Sequence, residues 1–589
     1  MRGPPRPGLC LNIGITGHRA NALPDEVMEQ LEPVLTSIFG MLREAAITLK
    51  REEPEIFSED DVVLRLHTPL ATGADQIGFR AARMAGYKAR ALLPLHPDVY
   101  RDDFAEGEER EAFDQLLENA DSCFALPGDP VNRNNAYYMV GQSVVAASDI
   151  LIAIWDGHEA KGPGGTAQVV DLALAARVPV IHVSVSRKTH SLGQARLLEG
   201  RRGARNRPVL RTPEEYDALV RRVLMVPGGE QRKGYLQFLS EHEDHLNTRL
   251  AYPLMLAMLG VRKFSSGDWR HQNVEDNARM ELGDAIFEGH SVLPKAFGWA
   301  NILAVRYAQK FRSGHVLNYV LSAVAVLVAL SGLLLPDLKL YLVICELAVI
   351  GLLFGNTWAG TRGDWHRRWL QYRYLAEALR TLPYLKDTGL APPPFRTKST
   401  GRPLDHGTTA DWTWWYADMI WRNMPNPKGN IGQAYIEQLR DGVLEAQIRP
   451  QSRYHHSNVH RMHHLDHRLH ALGQVAMMAV ILACGIFVGV YFTFNDWAKA
   501  NAGIFVFVTA GLPAVGAALF GLRGHGEHLL AASRSHASAA RLEAIEAAIE
   551  QTDQLDELTA ELEDVARTML ADLDEWTLAY RERSLQIPA

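Results

Sequence analysis

Hydrophobic and polar positions divide the chain into two regimes. Up to about residue 185, short β-rich runs alternate with helical patterns. Strands are expected at Leu11–Thr16, Val62–Leu66, Ala89–Leu95, Ile150–Trp155 and Val178–Val183. Helices are expected from about Asp25 and over Ala74–Ala85, Phe104–Asn119 and Thr166–Ala176. Such alternation predicts a Rossmann-like α/β domain, a parallel sheet covered by helices on both faces. Ligands of these sheets bind at the C-terminal strand edges.

After residue 315 the apolar residues gather into four blocks: Val316–Leu335, Leu340–Trp358, Leu472–Phe494 and Gly503–Leu522. Each is long enough to cross a hydrocarbon layer of roughly 30 Å. Short links, Pro336-Asp337 and Asn495-Asp496-Trp497, join them into two hairpins. The competing reading is a buried hairpin of a large soluble protein, but soluble core helices rarely stay apolar on every face for this length. The second fold element is therefore an all-α membrane region with four transmembrane helices.

Basic residues set the orientation. Lys310 and Arg312 precede the first span, Arg362, Arg367, Arg368 and Arg373 follow the second, Arg453, Arg461 and Arg468 precede the third, and Arg523 follows the fourth. The links hold only Lys339 and Lys499. This asymmetry predicts both termini on the cytoplasmic side. Each half reads as a basic lead-in, a hairpin and a polar trailing helix, the latter beginning near Asp364 and near Glu527.

Five segments follow: a nucleotide-binding-type domain over 10–190, a mainly helical connector over 191–300, the first hairpin with its trailing helix over 301–390, a linker over 391–450, and the second hairpin with trailing helices over 451–589. The linker begins Ala391-Pro392-Pro393-Pro394 and carries Trp412, Trp414, Trp415, Tyr416 and Trp421. Those aromatics suit either the membrane interface or a packed cytosolic core.

A net charge of −7 over 589 residues gives no basis for nucleic acid as a partner. The four cysteines form no CxxC pair, which argues against a disulfide framework or a zinc knuckle. The opening Met-Arg-Gly-Pro-Pro-Arg-Pro lacks the apolar core of a signal peptide. The first domain is accordingly expected in the cytoplasm.

Three loops at the C-terminal strand edges carry candidate ligand-binding residues. The first holds Gly14, Thr16, Gly17, His18 and Arg19, whose glycines permit close backbone approach and whose basic pair suits a phosphate. The second, Thr72-Gly73-Ala74-Asp75, opens a helix. The third runs from Trp155 and Asp156 to Gly162, Gly164, Gly165 and Thr166, and opens the next helix. Gly-rich turns into helix N-termini present free N–H groups to an anion. A glycine at one such turn is often only a turn residue. Three such loops on one edge point to a site.

On these residues the first domain resembles the SLOG superfamily. The likeness rests on Gly17-His18-Arg19, Thr72-Gly73-Ala74-Asp75, the Ser148-Asp149 lead-in to the Ile150 strand, and Gly164-Gly165-Thr166. It covers roughly residues 10–185. The membrane half is similar to SLATT effector modules, through Tyr307, Phe311-Arg312-Ser313, the two-span hairpin and Trp369, Tyr374 and Ala376-Glu377. The second hairpin is an addition to that pattern. The resemblance implies a Rossmann-like sensor of the TRPM-like prokaryotic type, with a nucleotide or nucleotide-derived messenger as its ligand and no certain cofactor. It also implies a setting in the bacterial inner membrane, in stress or antiviral defence. Phosphoribohydrolase relatives carry a glutamate three residues after the motif threonine. Here that position is Val169, and the nearest carboxylate is Asp171. Catalysis by that route is not expected.

Glu346 lies within the second span, where ionisable residues line a pore or find a partner in the bundle. His456, His460, His463, His467 and His470 share one helical face, which suits zinc or a pH switch, or simply a polar helix packed at the membrane surface. Pro513 is expected to kink the fourth span. Arg101-Asp102-Asp103 with Glu106, Glu108 and Glu109 reads as a solvated loop and helix start.

The leading expectation is a homo-oligomeric, ligand-gated membrane effector whose partners are a nucleotide-type ligand and the lipid bilayer. The alternatives are a membrane-tethered hydrolase of a nucleotide or NAD-like substrate, with Asp75 or Asp156 as acid/base, and a scaffold that has lost its ligand.

Overall fold

In the computed structural model, residues 3–159, 164–186, 189–200, 208–242, 249–269, 273–284, 289, 291–394, 411–526 and 528–580 are described. The N-terminal half is built on an eight-stranded sheet, seven of whose strands it supplies itself. Its strands are β1 (Cys10–Gly17), β2 (Val63–Thr68), β3 (Lys88–Leu93), β4 (Ser122–Ala125), β5 (Ile150–Trp155), β6 (Val180–Ser186), β7 (Ser191–Leu198) and β8 (Gly429–Asn430). The order is β7-β6-β5-β1-β2-β3-β4-β8, with every neighbouring pair parallel except β6 and β7. β1 and β5 are adjacent although four strands apart in sequence. The chain therefore winds outward in both directions from this pair, which makes it the topological switch point. β5, Ile150-Leu-Ile-Ala-Ile-Trp155, is buried at every position, as its unbroken apolar run requires of a strand covered on both faces.

The covering helices are α1 (Asp25–Glu52), α2 (Ala74–Met84), α3 (Pro97–Tyr100), α4 (Glu108–Glu118), α5 (Arg133–Ala147) and α6 (Thr166–Ala175). On α1, Val27, Leu31, Leu35, Ile38, Leu42, Ala46 and Leu49 recur at three- and four-residue spacing, and all are buried. The expected strands and helices are present. The expected single helix from Phe104 is shorter, Glu108–Glu118. Unforeseen were β4, α5, and the two edge strands β7 and β8.

The connector supplies α7 (Pro213–Leu224), α8 (Glu230–Leu239), α9 (Ala251–Met258) and α10 (Val274–Leu282). Thr212 and Glu215 close a capping box at the start of α7. Glu241, just beyond α8, is 4% exposed and accepts hydrogen bonds from Tyr307 Oη (2.9 Å), Tyr372 Oη (2.9 Å) and Arg368 (3.0 Å). One buried carboxylate thus joins the connector to both helices that flank the first hairpin.

The helical half contains α11 (Leu293–Ser331), α12 (Lys339–Arg362), α13 (Trp365–Thr388), α14 (Asp411–Asn423), α15 (Gln433–Val443), α16 (Arg449–Thr493), α17 (Asn495–Ala500), α18 (Ala502–Gly526), α19 (His528–Glu550) and α20 (Leu555–Tyr580). Four of its helical segments are long and apolar enough to cross a membrane. Each half uses one long helix for lead-in and span together, a hairpin, and a helix that returns along the lead-in: α13 packs on α11, and α19 on α16. In the most apolar windows of the second and third spans only 6% of positions are buried. Leu340, Ile344, Leu347, Ile481, Leu482 and Phe492 all face outward. Water would penalise so large an apolar surface, whereas hydrocarbon accepts it.

The spans form an open row. The second packs on the first, the first on the fourth, and the fourth on the third. Small residues allow the central contact. A side chain at Gly521 would overlap the Tyr319 ring, and one at Gly511 would stand 2.8 Å from Leu327. The first two spans share a polar clasp: Asn356 Nδ2 donates to Asn318 Oδ1 (2.6 Å) and to the Gly314 carbonyl (3.0 Å), and Asn318 Nδ2 donates to Thr357 (3.0 Å).

The two halves are not joined by a mere tether. Trp412, Tyr416 and Trp421 on α14 are buried, and Trp412 and Tyr416 pack against Tyr235 and Phe238 of α8. The aromatic cluster is therefore packed core and not a membrane belt. β8, from the same linker, extends the sheet beyond β4.

Candidate ligand-binding site

β1 and β5 end side by side, and their following loops part to open a cavity of about 680 Å³. Thr16, Gly17, His18 and Arg19 line one wall, and Trp155, Asp156, Gly164, Gly165 and Thr166 line another. Asp75 comes from the start of α2, and Tyr100 and Tyr137 close the side.

The glycines have distinct roles. A side chain at Gly17 would collide with Ala74, so Gly17 lets β1 meet α2. Gly73 has φ +89°, and a Cβ there would lie 2.5 Å from the Ala20 amide, so the second loop presses directly on the first. Gly164 has φ +80°, and its Cβ would stand 2.7 Å from that of Tyr137. Gly14 does not line the cavity; its close neighbour is Ser148 beneath the strand. Thr72 and Gly73 line a neighbouring open groove instead, and Ala74 is buried against Gly17. Gly162 lies outside the described residues.

α2 and α6 both begin with glycine at the N-cap, Gly73 and Gly165, and among the described residues no side chain caps either. Uncapped first turns carry the positive end of the helix dipole; in α2 the first amide, Ala74 N–H, already donates to the His18 carbonyl (3.1 Å). The Arg19 guanidinium lies over the Tyr137 ring, 5.0 Å from its centroid. Tyr137 is held in turn by Asp103, which also pairs with Arg133. Part of the charged run expected to be merely solvated thus orients a wall of the cleft. The backbone N–H of Asp156 donates to His18 Nε2 (3.2 Å), and the Asp156 carboxylate is 3.4 Å from the same nitrogen.

Asp75 is a strongly perturbed acid of the site. Burial pushes its carboxyl up to about 8, against the opposing pull of the Ala71 amide and the Arg19 charge. Its Oδ1 is buried without a hydrogen-bond partner among the described residues. A protonated acid with an unused oxygen is poised to bond a polar group of a ligand. Val169 contributes an apolar patch to the wall, and Asp171 is exposed and does not line the cavity. Sequence reasoning missed Tyr100, Tyr137 and Asp103. Tyr137 lies on a helix that had not been foreseen, and nothing in a lone tyrosine marks it.

Asp149, in the lead-in to β5, faces the other way. Its Oδ2 accepts from the Asn12 backbone (2.9 Å) and side chain (3.0 Å), and its Oδ1 accepts from Arg422 Nε of α14 (2.7 Å). The end of the sheet opposite the cleft is therefore bonded to the helical half.

The remaining candidates are dispersed. Glu346 is half-buried, with neither a hydrogen bond nor an ion pair among the described residues. His456 pairs with Glu543 (2.7 Å), and His460, His463 and His467 are exposed. Among the described residues no three His, Cys, Asp or Glu side chains converge on a metal-sized site.

Fold and site together define a doubly wound α/β domain with a switch-point cleft, fused to a helical region with four candidate membrane spans. Comparison of the chain with protein-family models, curated proteins and solved structures gave no match.

Proposed function

We propose that this chain is a ligand-gated membrane effector of the SLOG–SLATT type. The cleft binds a nucleotide or nucleotide-derived signal, and binding biases the four spans toward a pore or a membrane-perturbing state. The observation that carries the reading is the cleft itself. The uncapped N-terminus of α6, Arg19, His18, Asp75 and two tyrosine rings surround a switch-point cavity, a setting suited to phosphate and a flat ring.

Coupling needs a ligand with different affinities for two states. The Asp149–Arg422 bond, β8 and the Glu241 hub are the physical routes along which such a difference reaches the spans. An open row of four spans encloses no channel, which favours a homo-oligomer. The charge asymmetry of the loops favours an inner-membrane protein with both termini cytoplasmic, and the family resemblance favours a role in bacterial stress or antiviral defence.

The test is ion flux from liposomes holding the purified protein, challenged with a panel of nucleotides and cyclic or NAD-derived messengers. Flux with one of them, lost on Arg19→Ala, supports the reading. Absence of flux with every ligand that the protein retains sinks the pore.

A second reading, a membrane-tethered hydrolase, is favoured by one observation: Asp75, with its raised pKa, shares the cavity with Asp156 and Glu159. Turnover of the bound nucleotide, abolished by Asp75→Asn, would select it. A ligand recovered unchanged selects the sensor.

A further inference from the structure

A second cavity, of about 600 Å³, lies where the first span begins and the fourth ends. It is unrelated to the cleft. Its walls come from α9, α11, α13, α16, α18 and α19, so six helices meet around it. Phe311, Val316, Met462 and Leu522 give it apolar lining, and Arg312, His315, His525 and His528 add polar groups to the same walls. Among the described residues no carboxylate lines it.

Arg312 is the fixed charge. Its guanidinium stacks on Trp369 (5.1 Å) and Tyr252 (5.5 Å) and pairs with no acid among the described residues. Stacking uses the faces of a guanidinium and leaves its N–H edge free for a bidentate acceptor. Tyr319 Oη and His525 Nδ1, 2.6 Å apart, tie the first and fourth spans together at this level. Asp466, on the neighbouring α16, is already held by Arg523 at 2.8 and 3.1 Å.

We propose that this cavity is a binding site for an anionic phospholipid, with the phosphate head group on Arg312 and the neighbouring histidines and the first carbons of a chain against Phe311, Val316 and Leu522. Two observations favour a lipid over a free anion: the cavity lies at the end of two spans, and apolar side chains line it beside the charge. Basic pockets between spans on the cytoplasmic side commonly hold such head groups. The site touches both hairpins and both lead-in helices. A lipid seated there would therefore bridge the two halves of the membrane region.

The proposal presupposes that the four helices span a bilayer, which retention of the protein in vesicles after alkaline carbonate extraction checks separately. The test is native mass spectrometry of the full chain titrated with phosphatidylglycerol, with phosphatidylcholine of the same chains, or with inorganic phosphate. The expected result is saturable phosphatidylglycerol adducts, at least tenfold weaker in Arg312→Gln, and only non-saturating phosphatidylcholine adducts. Ala531→Trp, which fills the cavity and leaves Arg312 in place, should lose the same adducts. Equal retention of the two lipids, or phosphatidylglycerol binding unchanged in both variants, overturns the proposal. So does displacement of phosphatidylglycerol by millimolar phosphate, which would mark a soluble-anion site. A loss of oligomer mass in Ala531→Trp without any change in lipid binding assigns the cavity to a second copy and also overturns it.

Discussion

Removing Arg422 should weaken the junction between the two halves more than any other single change to a charged residue there. Arg422 is 3% exposed and Asp149 is 1% exposed. Burial pulls the Arg422 guanidinium down, and the charges of Asp149 and Asp418 more than restore it. Breaking a buried ion pair by removing one partner costs about 3–5 kcal/mol, because the other charge is left without compensation. Here the survivor is not wholly abandoned. Asp149 keeps two bonds from Asn12, and Arg422 without Asp149 keeps Asp418 at 2.6 Å. The lower end, about 3 kcal/mol, is therefore expected for Arg422→Ala or Asp149→Ala. For a unit of 150–250 residues that is a fall in Tm of roughly 6–12 °C. The double variant leaves neither charge stranded, so it should cost less than the sum of the singles, with a coupling of at least about 2 kcal/mol. The assay is urea and thermal unfolding of the detergent-solubilised full chain, followed by tryptophan fluorescence, for all four members of the cycle. Single costs below about 1 kcal/mol, or additivity within about 0.5 kcal/mol, would refute the reasoning. Because the pair lies at the end of the sheet away from the cleft, Arg422→Ala should retain ligand while losing ligand-dependent flux.

Asp75 makes stability depend on pH. Its folded pKa of about 8 exceeds the ordinary 3.8. Between those values the folded chain holds a proton that the unfolded chain releases, so stability is complete below 3.8 and falls as pH rises through about 8. At pH 7 the cost is on the order of 4 kcal/mol; Asp75→Asn should abolish it, and parallel Tm-versus-pH curves for the two proteins would contradict this. Gly73→Ala forces a side chain into a backbone with φ +89° and against the Ala20 amide. It should cost about 1–3 kcal/mol and remove ligand-induced thermal stabilisation, and an unchanged thermal shift would count against the proposed architecture of the cleft. Gly521→Leu should separate the first and fourth spans by overlap with Tyr319, read as loss of a disulfide cross-link between cysteines placed at Leu327 and Gly511; persistence of that link argues against the open row.

Much of the architecture was legible in the sequence because it follows from local pattern. An unbroken apolar run such as Ile150–Trp155 has few structures open to it besides a strand buried on both faces. Blocks of about twenty apolar residues are likewise long enough to span a bilayer. Glycines at the ends of successive strands marked the loops of the cleft, since only certain turns need them. Contacts between distant segments were not legible. The period of Arg133–Ala147 is weak because that helix is buried on several sides, so it was missed together with Tyr137. β8 is only two residues long and pairs with a strand some three hundred positions earlier, and no local signal announces that.

The sequence by itself determined the two regimes, the strand–helix alternation, the spans and most of the cleft's backbone, because periodicity and residue conformation are properties of neighbours in the chain. Only the tertiary structure decided that Gly14 lies beneath the sheet rather than in the cleft, that Asp149 points to Arg422, that tryptophans of α14 fill a packed core between the two halves, and that the four spans stand in an open row. Each of these depends on which side chains meet across hundreds of residues, and burial, desolvation and charge pairing act through those meetings rather than through sequence spacing.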